Sequence, residues 1–239
     1  MKIRIIQHES WLDGGEYIIW ANKNRHELLW TKVFNYEEVP EEVDADMLLV
    51  LGGPQSPDTS KEIYPYYDNQ KEKELIRKYF SQNKIVIGSC LGAQLLGSAL
   101  GSKHLHSPFL EIGYVKARFT LEGRKDPFFK DFPDELNIGS WHEDMPGLTN
   151  DATLIMSSDG CPHQIVKYAK YAYGFQTHME FTHESILNGI KENKKELDTL
   201  KGPYIRSVDE LINFDTKEMN NCLGSFLDYI AKDYLNNKR

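Results

Sequence analysis

Several groups that would place a chain in a common class are scarce or missing here. Cysteine occurs three times in 239 residues, an odd and small number that argues against a disulfide framework. No Cys/His cluster has zinc-finger spacing. His104 and His106 alternate on a candidate strand and read as surface residues, so no metal site is expected. Basic residues are outnumbered, 28 Lys and Arg against 36 Asp and Glu, for a net charge of −8. That deficit argues against a general nucleic-acid binder, which would show a basic face. The Lys191–Lys195 run alternates with Glu and Asn and reads as a solvated helix end. No apolar run approaches the ~20 residues of a membrane-spanning helix. Met1–Gln7 is too short and meets charge too early to be a signal peptide, so a cytoplasmic protein is expected. No Gly-x-x-x-x-Gly-Lys-Ser/Thr phosphate loop occurs, and no cofactor is expected. The chain has no internal repeat and no low-complexity linker.

What is present is enough for a core: 40% hydrophobic and 12% aromatic residues. Lys2–Gln7 reads as a strand, Glu16–His26 as a helix with Tyr17, Trp20 and Ala21 at helical spacing, and Leu28–Asn35 as a strand. Met47–Leu51 is continuously apolar, as expected of a parallel strand covered on both faces. Asn69–Ser81 is a charged amphipathic helix, followed by a strand over 84–89 and a helix over Leu91–Leu100. This alternation predicts an α/β fold, a doubly wound, mostly parallel (flavodoxin-like) sheet with helices on both faces. The 110–176 region is richer in strands, with candidates at Tyr114–Thr120, Leu136–Ser140, Thr153–Ser157 and Gln164–Tyr168, and predicts a small antiparallel ribbon or a mixed sheet. Residues 194–239 carry a capping box at Ser207–Glu210 and an apolar stripe of Met219, Leu223, Leu227 and Ile230. They are expected to form a helical extension packed on a domain spanning 1–193, in preference to a partner-binding surface.

The most informative residue is Cys90. Gly88-Ser89-Cys90-Leu91-Gly92 joins a strand to a helix through a sharp turn, the elbow geometry that lifts a nucleophile out of its backbone. The unpaired N–H groups at the start of the following helix favour a thiolate and can also hold an oxyanion. The plain alternative is a buried, small apolar cysteine. A cysteine nucleophile needs a base, and the base an orienting group. Of eight histidines, His178 stands out: it follows an aromatic, strand-like segment, Tyr171–Gln176, at a strand end, where α/β sheets place their sites. If residues 177–179 stay extended, Glu180 shares a side with His178 and can fix its tautomer. His142 is a rival base, or else a histidine that only supports others by hydrogen bonding. Gln94 is one helical turn past Cys90 and so on the same face. Cys161 and Cys222 read as structural.

Gly88-Ser89-Cys90-Leu91-Gly92-Ala93-Gln94, with Gly174-Phe175-Gln176-Thr177-His178-Met179-Glu180 far downstream, resembles the class I (triad) glutamine amidotransferases. Met47–Ser56, containing Gly52-Gly53-Pro54, Glu111-Ile112-Gly113 and Trp141-His142-Glu143-Asp144 fit the same family in the same order, over roughly residues 1–190. The flavour is that of stand-alone members similar to the amidotransferase domain of GMP synthase. Met179 stands where proline is common, and Ala93 where many members have histidine. Neither change removes a group from the triad. The resemblance implies hydrolysis of the side-chain amide of L-glutamine through a cysteinyl thioester, with Cys90 as nucleophile, His178 as acid and base, and Glu180 orienting it. It implies oxyanion donors at Gly53 and Leu91 N–H. It also implies substrate contacts from Gln94 and from a loop containing Trp141, Glu143 and Asp144. The ammonia acceptor would then lie on a separate synthetase polypeptide, or the protein would be a glutaminase. A γ-glutamyl hydrolase with another leaving group, and a non-catalytic binding protein, are the alternatives.

Overall fold

The computed structural model describes residues 1–238. In chain order the strands are β1 (Lys2–Gln7), β2 (Glu27–Lys32), β3 (Met47–Val50), β4 (Ile85–Ser89), β5 (Leu105–Phe119), β6 (Glu135–Met145), β7 (Thr153–Ser158), β8 (Ile165–Ala169) and β9 (Ala172–Phe175). The helices are α1 (Gly15–Lys23), α2 (Asn69–Ser81), α3 (Leu91–Ala99), α4 (His183–Glu192), α5 (Lys194–Leu197), α6 (Val208–Ile212) and α7 (Lys217–Asn237), with short 3₁₀ turns between some of them. All nine strands form one sheet in the order β2-β1-β3-β4-β9-β8-β7-β5-β6.

The first five strands of that order are parallel, from β2 to β9. Their apolar runs partition residue by residue between two cores, as period-2 geometry requires. Ile3, Ile5, Met47, Leu49, Ile85 and Ile87 face one core, while Ile6, Leu48, Val50 and Val86 face the other. Trp20 and Ala21 of α1 and the apolar stripe of α7 fill the first core. Leu75 and Ile76 of α2 and Leu91, Leu95 and Leu96 of α3 fill the second. The α/β architecture with helices on both faces is therefore the observed one. The antiparallel part is larger than a ribbon: β8, β7, β5 and β6 continue the same sheet beyond β9. The strand expected over Leu28–Asn35 stops at Lys32, and a 3₁₀ turn takes Val33–Asn35.

The terminal helix is built into the first core. Met219, Leu223, Phe226, Leu227 and Ile230 are all at most 1% exposed. Phe226 packs its ring 4.8 Å from Phe129, 5.0 Å from Tyr173 and 5.1 Å from Phe175. The Trp20 indole N–H donates to Asp228 at 2.8 Å. Further upstream, Ile205 bridges to Ile112 of β5, and the capping box at Ser207 and Glu210 forms as its sequence predicts. No helix among the described residues is long and apolar enough to cross a membrane.

Candidate active site

The site forms where the parallel strands end. β4 and β9 run side by side, with Ser89 in register with Phe175. The residue after β4 is Cys90, and the residues after β9 are Gln176, Thr177 and His178. Cys90 has φ 52° and ψ −111°, a left-handed backbone that is costly for a residue with a Cβ. The surroundings enforce it. Cys90 N–H donates to Phe175 carbonyl at 2.7 Å, and α3 starts at the next residue. The flanking glycines let α3 press onto the sheet: a Cβ on Gly88 would lie 2.2 Å from the Gly92 carbonyl oxygen, and one on Gly92 would lie 2.0 Å from that of Val50. Cys90 is only 8% exposed. The thiol does not stand clear of the sheet: it lies in a cavity, because the Gly52–Gly53 loop and the end of β6 rise around it.

His178 and Glu180 meet, but not along an extended chain. The segment turns, with Phe181 N–H donating to the His178 carbonyl at 3.3 Å. That turn brings His178 Nδ1 within 2.7 Å of Glu180 Oε1. The same carboxylate oxygen accepts from Ser89 Oγ at 3.0 Å. The imidazole is clamped by Phe181, stacked at 4.4 Å and 10°, and its backbone N–H donates to Gly139 at 2.8 Å. The terminal helix also holds the turn: Asn220 Nδ2 donates to the carbonyls of Met179 at 2.8 Å and Phe181 at 3.0 Å. Desolvation alone would pull the His178 pKa down. The Glu180 carboxylate and the nearby Cys90 sulfur overcome it and raise the pKa to about 10. The imidazolium is thus favoured at neutral pH.

Around this pair the backbone N–H groups of Gly52, Gly53, Leu91 and Gly92 have no protein acceptor among the described residues. Leu91 and Gly92 open α3, so theirs belong to the unpaired first turn of a helix. Gly53 is crowded on the side where a Cβ would stand. A Cβ there would lie 2.3 Å from Gln55 Oε1 and 2.9 Å from His8 Cβ, so only glycine lets the backbone approach this closely.

A cavity of about 290 Å³ contains Gly53, Cys90, Gln94, Trp141, His142, Glu143, Asp144 and His178 in its lining. Of the residues singled out from the sequence, Leu91 and Glu180 are outside that lining. The Leu91 side chain is in the core, and Glu180 stands behind His178. Trp141–Asp144 is not a loop: it is the end of strand β6, paired with β5 so that His142 faces Glu111. Asp144 Oδ1 is 2.8 Å from His106 Nδ1. Glu111, fully buried, accepts from Ser158 Oγ at 2.6 Å, Gln164 Nε2 at 2.6 Å and Ser140 Oγ at 3.0 Å, and lies 3.3 Å from His142 Nε2. Burial pushes the Glu111 pKa up, but His142, with Ser158 and Ser140, outweighs it and holds the carboxyl below its usual range. His142 Nδ1 is buried and has no partner among the described residues.

Sequence reasoning passed over Gln176. It accepts from Gln94 Nε2 at 3.1 Å, and its own Nε2 points at Cys90 Sγ at 3.6 Å. Its place in the motif around His178 was the available signal. Asn193 and Glu196, at the edge of the region set aside as an extension, also reach the cavity. Distance in sequence hid them. No group of three or more metal-ligating side chains occurs among the described residues.

The family model for glutamine amidotransferase class-I matches residues 20–194. This chain belongs to that family. It is 42% identical over 233 residues to the glutamine amidotransferase-like protein YfeJ of Salmonella typhimurium, covering 97% of this chain and 98% of that protein. The crystal structure of SMU.1228c superposes with a TM-score of 0.93 at 42% identity, covering 97% of this chain and 100% of the other. A GMP synthase subunit of Methanocaldococcus jannaschii is 26% identical over 159 residues, 66% of this chain and 76% of that protein. Several GMP synthases also match, and the matched part is between 22% and 32% of their own length.

Proposed function

We propose that this member of the family hydrolyses the side-chain amide of L-glutamine through a thioester on Cys90, with His178 as general acid and base and Glu180 as its orienting carboxylate. The observation that carries the reading is the juxtaposition of a strained, helix-starting cysteine with a histidine whose other nitrogen is fixed by a buried carboxylate at 2.7 Å. Cys90 sulfur attacks the amide carbon and the carbonyl electrons move onto oxygen. Gly53 and Leu91 N–H stabilise that oxyanion. The imidazolium of His178 gives its proton to the amide nitrogen, the C–N bond breaks and ammonia leaves. The neutral imidazole then takes a proton from water, whose oxygen attacks the thioester. The C–S bond breaks, glutamate departs, and the sulfur anion and imidazolium are restored. Glu180 holds the ring in place and stabilises its charged form.

The far end of glutamine would meet Gln94 and the end of β6. Trp141, Glu143 and Asp144 supply an apolar wall and carboxylates for the α-ammonium group. Asp144 keeps one carboxylate oxygen free of His106. The ammonia acceptor would belong to a separate synthetase polypeptide. The likeness to a GMP synthase subunit supports that reading.

The test is ammonia release from L-glutamine, with trapping of the acyl group by hydroxylamine as γ-glutamyl hydroxamate. Cys90→Ala should abolish both while the thermal melt stays near that of the wild type. Labelling of Cys90 by a glutamine-shaped diazoketone, read by mass, tests the site even where turnover needs a partner. Ammonia release persisting in Cys90→Ala overturns the reading, and release from γ-glutamyl amides in preference to glutamine would reassign the leaving group.

A further inference from the structure

A second histidine–carboxylate pair lies behind the loop that covers Cys90. His8 follows β1, and Glu72 is in the first turn of α2. Their side chains are 0% and 1% exposed. His8 Nε2 lies 3.0 Å from Glu72 Oε2 and 3.2 Å from Oε1, while Nδ1 lies 3.2 Å from the Gly52 carbonyl oxygen. A carbonyl oxygen only accepts, so Nδ1 carries a proton. Whichever of His8 and Glu72 holds the second proton, the bond to Gly52 remains.

The Gly52 carbonyl and the Gly53 N–H belong to one peptide group. A planar trans peptide points them in opposite directions. With the carbonyl held toward His8, the Gly53 N–H is turned the other way. The peptide borders the reacting centre: a Cβ on Gly52 would lie 3.2 Å from Cys90 Cβ and 3.4 Å from His178 Cε1, and Gly53 lines the cavity that holds both. Two glycines in succession leave such a peptide free to rotate at little steric cost, so its orientation has to be imposed from outside. We propose that His8, held by Glu72, is the positioning residue that locks the Gly52–Gly53 peptide with its N–H aimed at the developing oxyanion. The inference rests on the glutamine-hydrolysing role proposed above.

The experiment compares the full-length wild type with His8→Leu, His8→Gln, His8→Asn and Glu72→Gln. Leucine removes the donor. Glutamine can still reach Glu72 but leaves the Gly52 carbonyl unbonded. Asparagine places an amide nitrogen near the site of Nδ1. Glu72→Gln allows a neutral His8 to keep its Nδ1–H on Gly52. Losing one oxyanion donor costs roughly 10²–10³-fold in kcat. That loss is expected in His8→Leu and His8→Gln, with KM within about threefold of wild type. His8→Asn and Glu72→Gln should stay within about tenfold. Alkylation of Cys90 by iodoacetamide, a displacement that builds no oxyanion, should proceed at the wild-type rate in all four.

The inference is overturned if His8→Leu and His8→Gln keep kcat within threefold of wild type. It is also overturned if alkylation falls in parallel with turnover, or if His8→Asn is no better than His8→Gln. Should the leucine variant fail to fold, the contrast between Gln and Asn decides the matter alone. Wild-type protein that neither releases ammonia nor forms the hydroxamate, and whose Cys90 is not labelled by the diazoketone, overturns the glutamine reading and this one with it. An active wild type with an equally active His8→Gln overturns this one only.

Discussion

Three histidines in this protein are backed by buried carboxylates: His178 by Glu180, His8 by Glu72 and His142 by Glu111. All six side chains are at most 8% exposed, so burial does not tell the pairs apart. The second ring nitrogen does. In His178 it is turned to the Cys90 sulfur, and in His8 to the Gly52 carbonyl. In His142 it has no partner among the described residues and belongs to a residue lining the cavity. The same pairing is thereby suited to three tasks: exchanging a proton, holding a peptide, and meeting a ligand. A histidine–carboxylate couple is therefore not evidence of an acid–base catalyst until its other nitrogen is accounted for.

The sharpest way to break this comparison is His178→Asn. With no group to protonate the leaving nitrogen, kcat for glutamine should fall by about 10³-fold or more, and Cys90 alkylation should slow with it. A variant that retains turnover would show that another pair serves the sulfur. His142→Asn should act differently, raising KM for glutamine about tenfold while leaving kcat within a fewfold. A collapse of kcat at constant KM would make His142 the base. The smallest effect is on stability. The folded state holds the His178 proton more tightly than an unfolded chain does, with a pKa of about 10 against the ordinary 6.5. Its contribution is thus complete below pH 6.5, declines as pH rises, and is gone above about 10. The difference in urea midpoint between wild type and His178→Asn should shrink over that window. A difference that is constant or grows would mean that the charged imidazole is not stabilised by folding.

Much of the site is legible from local sequence because its parts are local. The elbow at Cys90 needs glycines two residues away on either side. His178 and Glu180 are two residues apart and sit against a strand whose aromatic run announces it. Burial of the thiol was not legible, since the groups that cover it come from residues 52–53 and the end of β6. The bend between His178 and Glu180 was also missed: their spacing is compatible with both an extended chain and a turn, and Asn220, 40 residues on, is among the groups holding it. Gln176 was visible in its motif, but only the fold points its amide at the sulfur. Glu111 and Glu72 look like ordinary charged residues until the histidines they bind are brought to them.

The sequence by itself determined the strand–helix alternation, the elbow and the residue types of the Cys90–His178 pair. Each depends on spacing within a few residues, where backbone geometry leaves little choice. The tertiary structure decided which carboxylate backs which histidine, how deep the sulfur lies, and that α7 completes a core layer and ties down the turn after β9. Those outcomes depend on strand order and on segments tens of residues apart meeting at one end of a sheet. No local pattern encodes such meetings, because they arise only when the whole apolar surface is buried together.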